Sequence, residues 1–245
     1  MAERKSEYHA LTAAGHGPDE HGLGAIASPE DPRDFAIEGR PEYAAALATV
    51  LPATWLEPNS PPVSNQGATP MCVAYSAAND QGHMDRPESG LFPAFDRKKF
   101  FAEIGGGPNG AVIRDALSRR LHFGYPLATT PDHAAEHQIG AYYRVPLQVD
   151  AVKAALLVSF RNGGVVVGGP WYHRWFHPAG SGRLPAPDYA VGGHAWWLRG
   201  WDDGAQAFRG RNSWGGAWGL AGDLLLPYAY LTRLAEAWRT LDRGA

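Results

Sequence analysis

The chain has 245 residues, 44% of them hydrophobic and 19% charged, with nine tryptophans, one cysteine and a formal net charge of -3. Such a composition can bury a sizeable core, which excludes a disordered chain, and the slight negative charge gives no electrostatic footprint for phosphate backbones or anionic lipid. With no apolar run of signal-peptide length at the start, none near the ~20 residues of a membrane span and no possible internal disulfide, the sequence predicts a cytoplasmic protein with neither a nucleic-acid nor a membrane partner.

Residues 1 to about 45 are rich in Gly, His, Pro and charge around the turn-forming "SPEDPRDF", and read as an extension with few buried contacts, draped over the body or mobile. The division expected is an extension over 1–50 and a folded domain over 51–245. A first helix is predicted at or near Cys72, because "CVAYSAANDQGHM" follows Pro70 and runs nine positions without Gly or Pro. A second is signalled by Asn109 as N-cap, by Val112, Ile113, Ala116, Leu117 and Leu121 at helical spacing, and by Gly124 and Pro126 at its end. A third runs from Asp150 through Phe160 to Asn162.

After Gly164 the texture changes to short Val-, Trp- and Leu-rich runs between glycines, namely "VVVGG", "HAWWLRGW", "AFRGRNSW" and "GDLLLP". Spaced about ten residues apart, they predict an antiparallel, partly closed sheet, so the fold class is α+β in two unlike halves. Leu231, Leu234, Ala235, Trp238 and Leu241 predict a C-terminal helix.

An unpaired cysteine is more often a small buried hydrophobe than a nucleophile. The setting of Cys72 argues otherwise: a helix N-terminus favours thiolate over thiol, and Gln66 in the loop before it can donate an amide hydrogen to an oxyanion. A thiolate also needs a base, and ten histidines compete for that role. His194 stands apart because two glycines precede it and a β-like apolar run follows, which would present the ring at a cleft edge. His173 and His177, at i, i+4 spacing, are the rival pair for a metal, but prolines bracket them and no third ligand accompanies them. Asn212, in "GRNSWGGAWG", reads either as part of a turn with tryptophan packing or as the neutral amide that orients the imidazole.

Taken in order, "NQGATPMCVAYSAAN", "GGHAWWLRGWDD" and "RNSWGGAWGLAGDLLLP" resemble the three active-site blocks of the papain-like cysteine peptidases, over Leu51 to about Pro227. His194 and Asn212 lie 122 and 140 positions after Cys72, against roughly 130 to 150 in the family. The resemblance implies a papain-like two-lobed fold: a mainly helical lobe, an antiparallel β-barrel-like lobe and a peptide-binding cleft between them. It implies a thiol endopeptidase, a hydrolase acting through a thioester acyl-enzyme without metal or organic cofactor. Cys72 would be the nucleophile, His194 its base, Asn212 the orienting amide and Gln66 the oxyanion donor. Gly110, Ala195 and Trp214 would contact a peptide or protein substrate, and Cys72 and His194 would rest as thiolate and imidazolium. "GLGAIASPEDPRDF" is similar to leader-proximal sequence of bacterial members.

The chain departs from the family pattern at Thr69, Pro70 and Met71 before the cysteine, at Val73 after it, and at Ala111 and Gly193. Two further readings share the site: acyl transfer of transglutaminase type, and a catalytically silent peptide-binding module.

Overall fold

The computed structural model describes residues 21–243 apart from 33, 59, 130–132 and 159–163. In chain order the first half holds β1 (Ala25–Ile26), α1 (Pro41–Leu47), β2 (Thr54–Leu56), α2 (Cys72–Ser89), α3 (Arg97–Glu103), β3 (Ala111–Val112) and α4 (Ile113–Phe123). The second half holds β4 (Ile139–Arg144), α5 (Val149–Leu157), β5 (Val165–Tyr172), β6 (Ala190–Asp202), β7 (Ala207–Arg211), β8 (Asp223–Pro227) and β9 (Glu236–Asp242).

Antiparallel pairing in the order β4-β9-β5-β6-β7-β8, with β2 added on β6, builds a seven-stranded sheet. This is the α+β, two-lobed arrangement, but the β lobe is an open sheet: no closing pair is found among the described strands. Its two faces serve two cores, and strand periodicity assigns the residues. Trp196 and Leu198 of β6 with Val165 and Val167 of β5 join α5 and the aromatic cluster of the β lobe. Ala195 and Trp197 with Val166 and Trp238 face the opposite way, onto Cys72, Val73 and Ala77 of α2 and Ile113 and Leu117 of α4. Strand β6 therefore binds the lobes together, carrying His194 at one step and an inter-lobe packing residue at the next.

Helix α2 begins at Cys72 as predicted, and α4 ends before Gly124, whose φ of +78° suits glycine. Three expectations are corrected. Helix α4 starts at Ile113 with Val112 at its cap, because Gly110 turns at φ +101° and Ala111–Val112 pair as a strand. The expected C-terminal helix is a 3-10 turn, Tyr228–Arg233, followed by β9, whose Glu236 to Thr240 are buried on both faces. The same residues satisfy a helical repeat, but the open flank of β5 recruits them as a strand.

The third correction concerns the amino-terminal segment; residues 1–20 lie outside the described residues. From residue 22 to 28 it is buried at every position but Ile26, and Ile37 and Tyr43 enter the β-lobe core. Short apolar residues among glycines have no helical or strand period, yet they seat well in a groove. The third helix is seen over Val149–Leu157, and its predicted end lies outside the described residues.

Candidate active site

Cys72 opens α2 with its side chain fully buried. Its sulfur faces the backbone N–H groups of Ala195, Val73, Gly24 and Cys72 itself, so α2, β6 and the amino-terminal segment meet at this atom. That segment crosses the cleft as a strap. Gly22 N–H donates to Gly67 O at 2.8 Å, Gly24 N–H donates to Gly193 O at 2.8 Å, and Gly24 O accepts from Ala111 N–H at 2.9 Å. Ala25 and Ile26 then pair parallel to Ala111 and Val112. Ser28 closes the run: its N–H donates to Glu236 Oε1 at 3.1 Å and its Oγ accepts from Arg114 N–H at 3.2 Å.

His194 lies inside β6, four residues after its first residue Ala190 and not at the strand start that the sequence suggested, with its ring fully buried. Nε2–H donates to Asn212 Oδ1 at 2.8 Å, and Ser213 N–H donates to the same oxygen at 2.8 Å. An oxygen receiving two donors fixes the ring with its proton on Nε2 and leaves Nδ1 as the basic atom. Nδ1 is buried without a hydrogen-bond partner. The ring is caged by Trp214 at 4.6 Å, by the edge of Trp171 at 4.8 Å and by Trp196 at 6.0 Å between centroids.

Gln66 reaches the same place from the loop before α2. Its Nε2 donates to Thr69 O at 2.7 Å and to Gly22 O at 3.0 Å, while Ser213 Oγ donates to its Oε1. The strap thus presents a carbonyl to the amide that the sequence singled out as an oxyanion donor. Gly110 lines the wall opposite, where a Cβ would stand 1.7 Å from Gly24 O. Trp214, besides covering His194, stacks face to face with His21 at 4.6 Å and 6°.

Burial pushes the Cys72 thiol up to about 12, over the opposing pull of the four backbone N–H groups. Burial likewise takes His194 down to about 3, with the Asn212 hydrogen bond opposing and the nearby His21 adding to the drop. In this closed state both groups are neutral at pH 7, which corrects the expected thiolate and imidazolium. The cause is burial, by the strap at the sulfur and by the tryptophan cage at the ring: with water excluded, charged forms lose their solvation and the end of a helix does not replace it.

The structure brings together Cys72, His194, Asn212, Gln66, Ala195, Gly110 and Trp214 around one cleft. His173 and His177 do not form a metal site: His173 stacks on Tyr189 and faces Asp188 at 3.6 Å, and no metal-holding cluster occurs among the described residues. Sequence reasoning missed Trp171, Trp196, Ser213 and the strap residues His21 to Ser28. The alternation "GLG" at 22–24 was the available signal, since glycines let a backbone lie against another backbone.

No family model matches the sequence, and no curated protein sequence is similar to it. Solved structures do match. Xylellain, a cysteine protease from Xylella fastidiosa, is 25% identical over 91% of this chain and 97% of its own, with a TM-score of 0.75. The chain has the papain-like cysteine peptidase fold. The proCathepsin B S9 of Trypanosoma congolense resembles this papain-like chain in fold at 18% identity over 95% and 87% of the two chains, with a TM-score of 0.72. The digestive procathepsin L 3 of Tenebrio molitor does so at 16% identity over 97% and 79%, with a TM-score of 0.61. No helix among the described residues is long and apolar enough to cross a membrane.

Proposed function

We propose that the protein is a thiol endopeptidase made with its cleft closed by its own residues 21–28. The observation that carries this is the meeting of Cys72, the Gln66 amide and the oriented His194–Asn212 pair at the point where the strap lays a peptide backbone. A peptide that replaced the strap would set its carbonyl carbon at Cys72 Sγ. His194 Nδ1 takes the thiol proton, the sulfur attacks, and the carbonyl oxygen becomes an oxyanion facing the Gln66 amide and the Cys72 N–H. His194 returns that proton to the departing amine, leaving a thioester. Water then adds to the thioester, His194 accepting its proton, and the thiol leaves with the carboxylic acid formed.

The same chemistry fixes substrate direction. The amine leaves toward its proton donor, His194, so the carboxyl-side half of a substrate lies over Trp214 and the amino-side half along Gly110–Val112. The strap runs the other way, from His21 over Trp214 to Ala25 beside Ala111. A reversed backbone fills the cleft without offering a scissile bond in the productive sense, which suits an inhibitor.

The test uses the full chain carrying Gly24→Val, a change that sets a side chain against Pro70 O, and an unstructured protein substrate. Cleavage is expected, with loss in a Cys72→Ala second variant. Equal cleavage by the Cys72→Ala chain would overturn the assignment.

A further inference from the structure

Beside the catalytic histidine, on the side where the amine would leave, the β lobe holds a pocket of about 340 Å³ lined by His21, Phe176, His177, Trp214, Trp218 and their neighbours. Its walls come from two places in the sequence: the 3-10 turn His173–Phe176 with the loop after it, and the turn that follows Asn212. Trp218 stands perpendicular to Trp214 at 5.1 Å and 89°, and its Nε1–H donates to Phe176 O at 2.8 Å, so the two walls are bolted together. Phe176 lies nearly parallel to Trp214 at 5.4 Å and 18°.

One occupant is already in view. The His21 ring lies parallel to Trp214 within 6° and parallel to Phe176 within 16° at 6.4 Å, so Phe176 and His21 stack with the same indole. We infer that this pocket selects a neutral aromatic side chain immediately carboxyl-side of the scissile bond, with Phe176 and Trp218 as the residues that set the preference. The inference rests on the peptidase reading and deepens it. The chemistry favours flat rings on three counts. The indole offers a face rather than a slot, a stacked pair adds to the area it buries, and the volume beside His21 leaves room for a ring larger than imidazole. No carboxylate lines the pocket, so Lys and Arg side chains meet no counter-charge there and gain only the weaker pull of the ring faces, while Asp and Glu side chains meet π-faces that repel them.

The inference is tested twice, once without catalysis. In the full chain, His21 is replaced by Phe, Trp, Ala or Asp, and the alkylation rate of Cys72 by iodoacetamide reports how often the strap lifts. His21→Phe and His21→Trp should alkylate no faster than the parent, His21→Ala about tenfold faster and His21→Asp faster still. The second arm uses the Gly24→Val chain and peptides differing only in the residue after the cleaved bond. Phe, Tyr and Trp should exceed Ala in kcat/KM by about tenfold, Lys should fall below the three aromatic residues, and Asp should fall at or below Ala. His177→Asp, at an exposed position on the rim, should move the preference toward Lys and Arg without needing the buried Phe176 to be altered.

If His21→Phe opens the strap as readily as His21→Ala, the aromatic pocket is wrong whatever the catalytic outcome. If peptides are cleaved with no regard to this residue, the pocket fails and the peptidase reading stands. If Cys72 alkylates in the Gly24→Val chain and no peptide is cleaved, the peptidase reading and the substrate preference both fall.

Discussion

Gly110 and Gly24 meet backbone to backbone: a Cβ on Gly110 would stand 1.7 Å from Gly24 O, and the N–H of the next residue, Ala111, donates to that oxygen at 2.9 Å. Gly110 also holds φ at +101°, a conformation open to glycine at no steric cost. The cleft wall is thus shaped for a bare main chain, whether it belongs to the strap or to a substrate. Substituting Gly110 would harm both uses, whereas substituting Gly24 leaves the Gly110 wall intact and sets the strap against Pro70.

The Gly24→Val chain is therefore expected to release its cleft. A Cβ at Gly24 would lie 2.4 Å from Pro70 O and 2.7 Å from Pro70 Cβ, immediately before α2 and Cys72. Overpacking of this kind costs about 1–3 kcal/mol, which converts to roughly fivefold to over a hundredfold more open chain. The iodoacetamide rate of Cys72 should rise by that factor while the far-ultraviolet circular dichroism stays that of the parent. An unchanged rate would mean that the strap does not guard the thiol.

In that open background His194→Ala should abolish measurable cleavage, while Asn212→Ala keeps a detectable fraction and Gln66→Ala loses about 10²–10³ in kcat. The order follows from contact. In the proposed mechanism His194 moves the proton, Gln66 meets the charge that develops, and Asn212 acts only by holding Nε2 at 2.8 Å. The check is kcat and KM for one peptide across the three variants. Asn212→Ala as inactive as His194→Ala would show that the cage of Trp171, Trp196 and Trp214 cannot hold the ring without the amide.

Most of the candidate site was legible because each member has a short-range signature: a proline and then a helical run at Cys72, glycines leading into an apolar run at His194, a strand end at Asn212. Two features were not. Glu236 to Asp242 carry apolar residues at spacings that fit a helix, and only the unfilled flank of β5 decides for a strand. Residues 22–28 carry no period, because a strap in a cleft takes its hydrogen bonds from whatever lines the cleft; Gly67 O, Gly193 O and Ala111 N–H lie 45 to 169 positions further on. Such burial is a property of the assembled lobes, and composition alone reads it as linker.

Asn212 depends on a charge cluster behind it. Asp223 receives Arg199 Nη2 at 2.8 Å, Arg209 Nε at 2.7 Å and Arg211 Nε, and Asn212 N–H donates to Gly222 O at 2.9 Å in the adjoining turn. Burial alone would raise the Asp223 carboxyl, yet Arg199 and Arg211 hold it below the usual range. Asp223→Asn leaves two buried guanidinium groups without their counter-charge, a loss of about 3–5 kcal/mol. For a chain of this size the melting midpoint should drop by about 6–20 °C, readable by calorimetry. A drop under 2 °C would show that the arginines find other partners.

Strap closure should be tightest near neutral pH and weaken on both sides, and the sign follows from which state binds more protons. In the closed state His194 is held down at about 3, against ~6.5 once water reaches it, so between those values the open state carries the extra proton and acid favours opening. At pH 5 the gain in open chain is about thirtyfold from this group. Cys72 works from the other side: held up at about 12 when closed and near ~8.5 or lower when open, it makes the closed state the better proton binder, so alkali favours opening above that lower value. Glu236 opposes the acid limb, because burial beneath Ser28 raises its carboxyl, and the proton it takes up on acidification stays best bound in the closed chain. His21 also faces His194, so the measurement is repeated in His21→Phe, which keeps a ring there without imidazole nitrogens. The observable is hydrogen exchange at Ala111 N–H, bonded to Gly24 O only while the strap is seated, divided by the intrinsic rate at each pH. Protection should peak between about pH 6.5 and 8.5, fall on either side, and lose its acid limb when His194 is replaced by Gln. Protection that is flat from pH 5 to 9, or an acid limb that survives the His194 substitution, would detach closure from the catalytic pair.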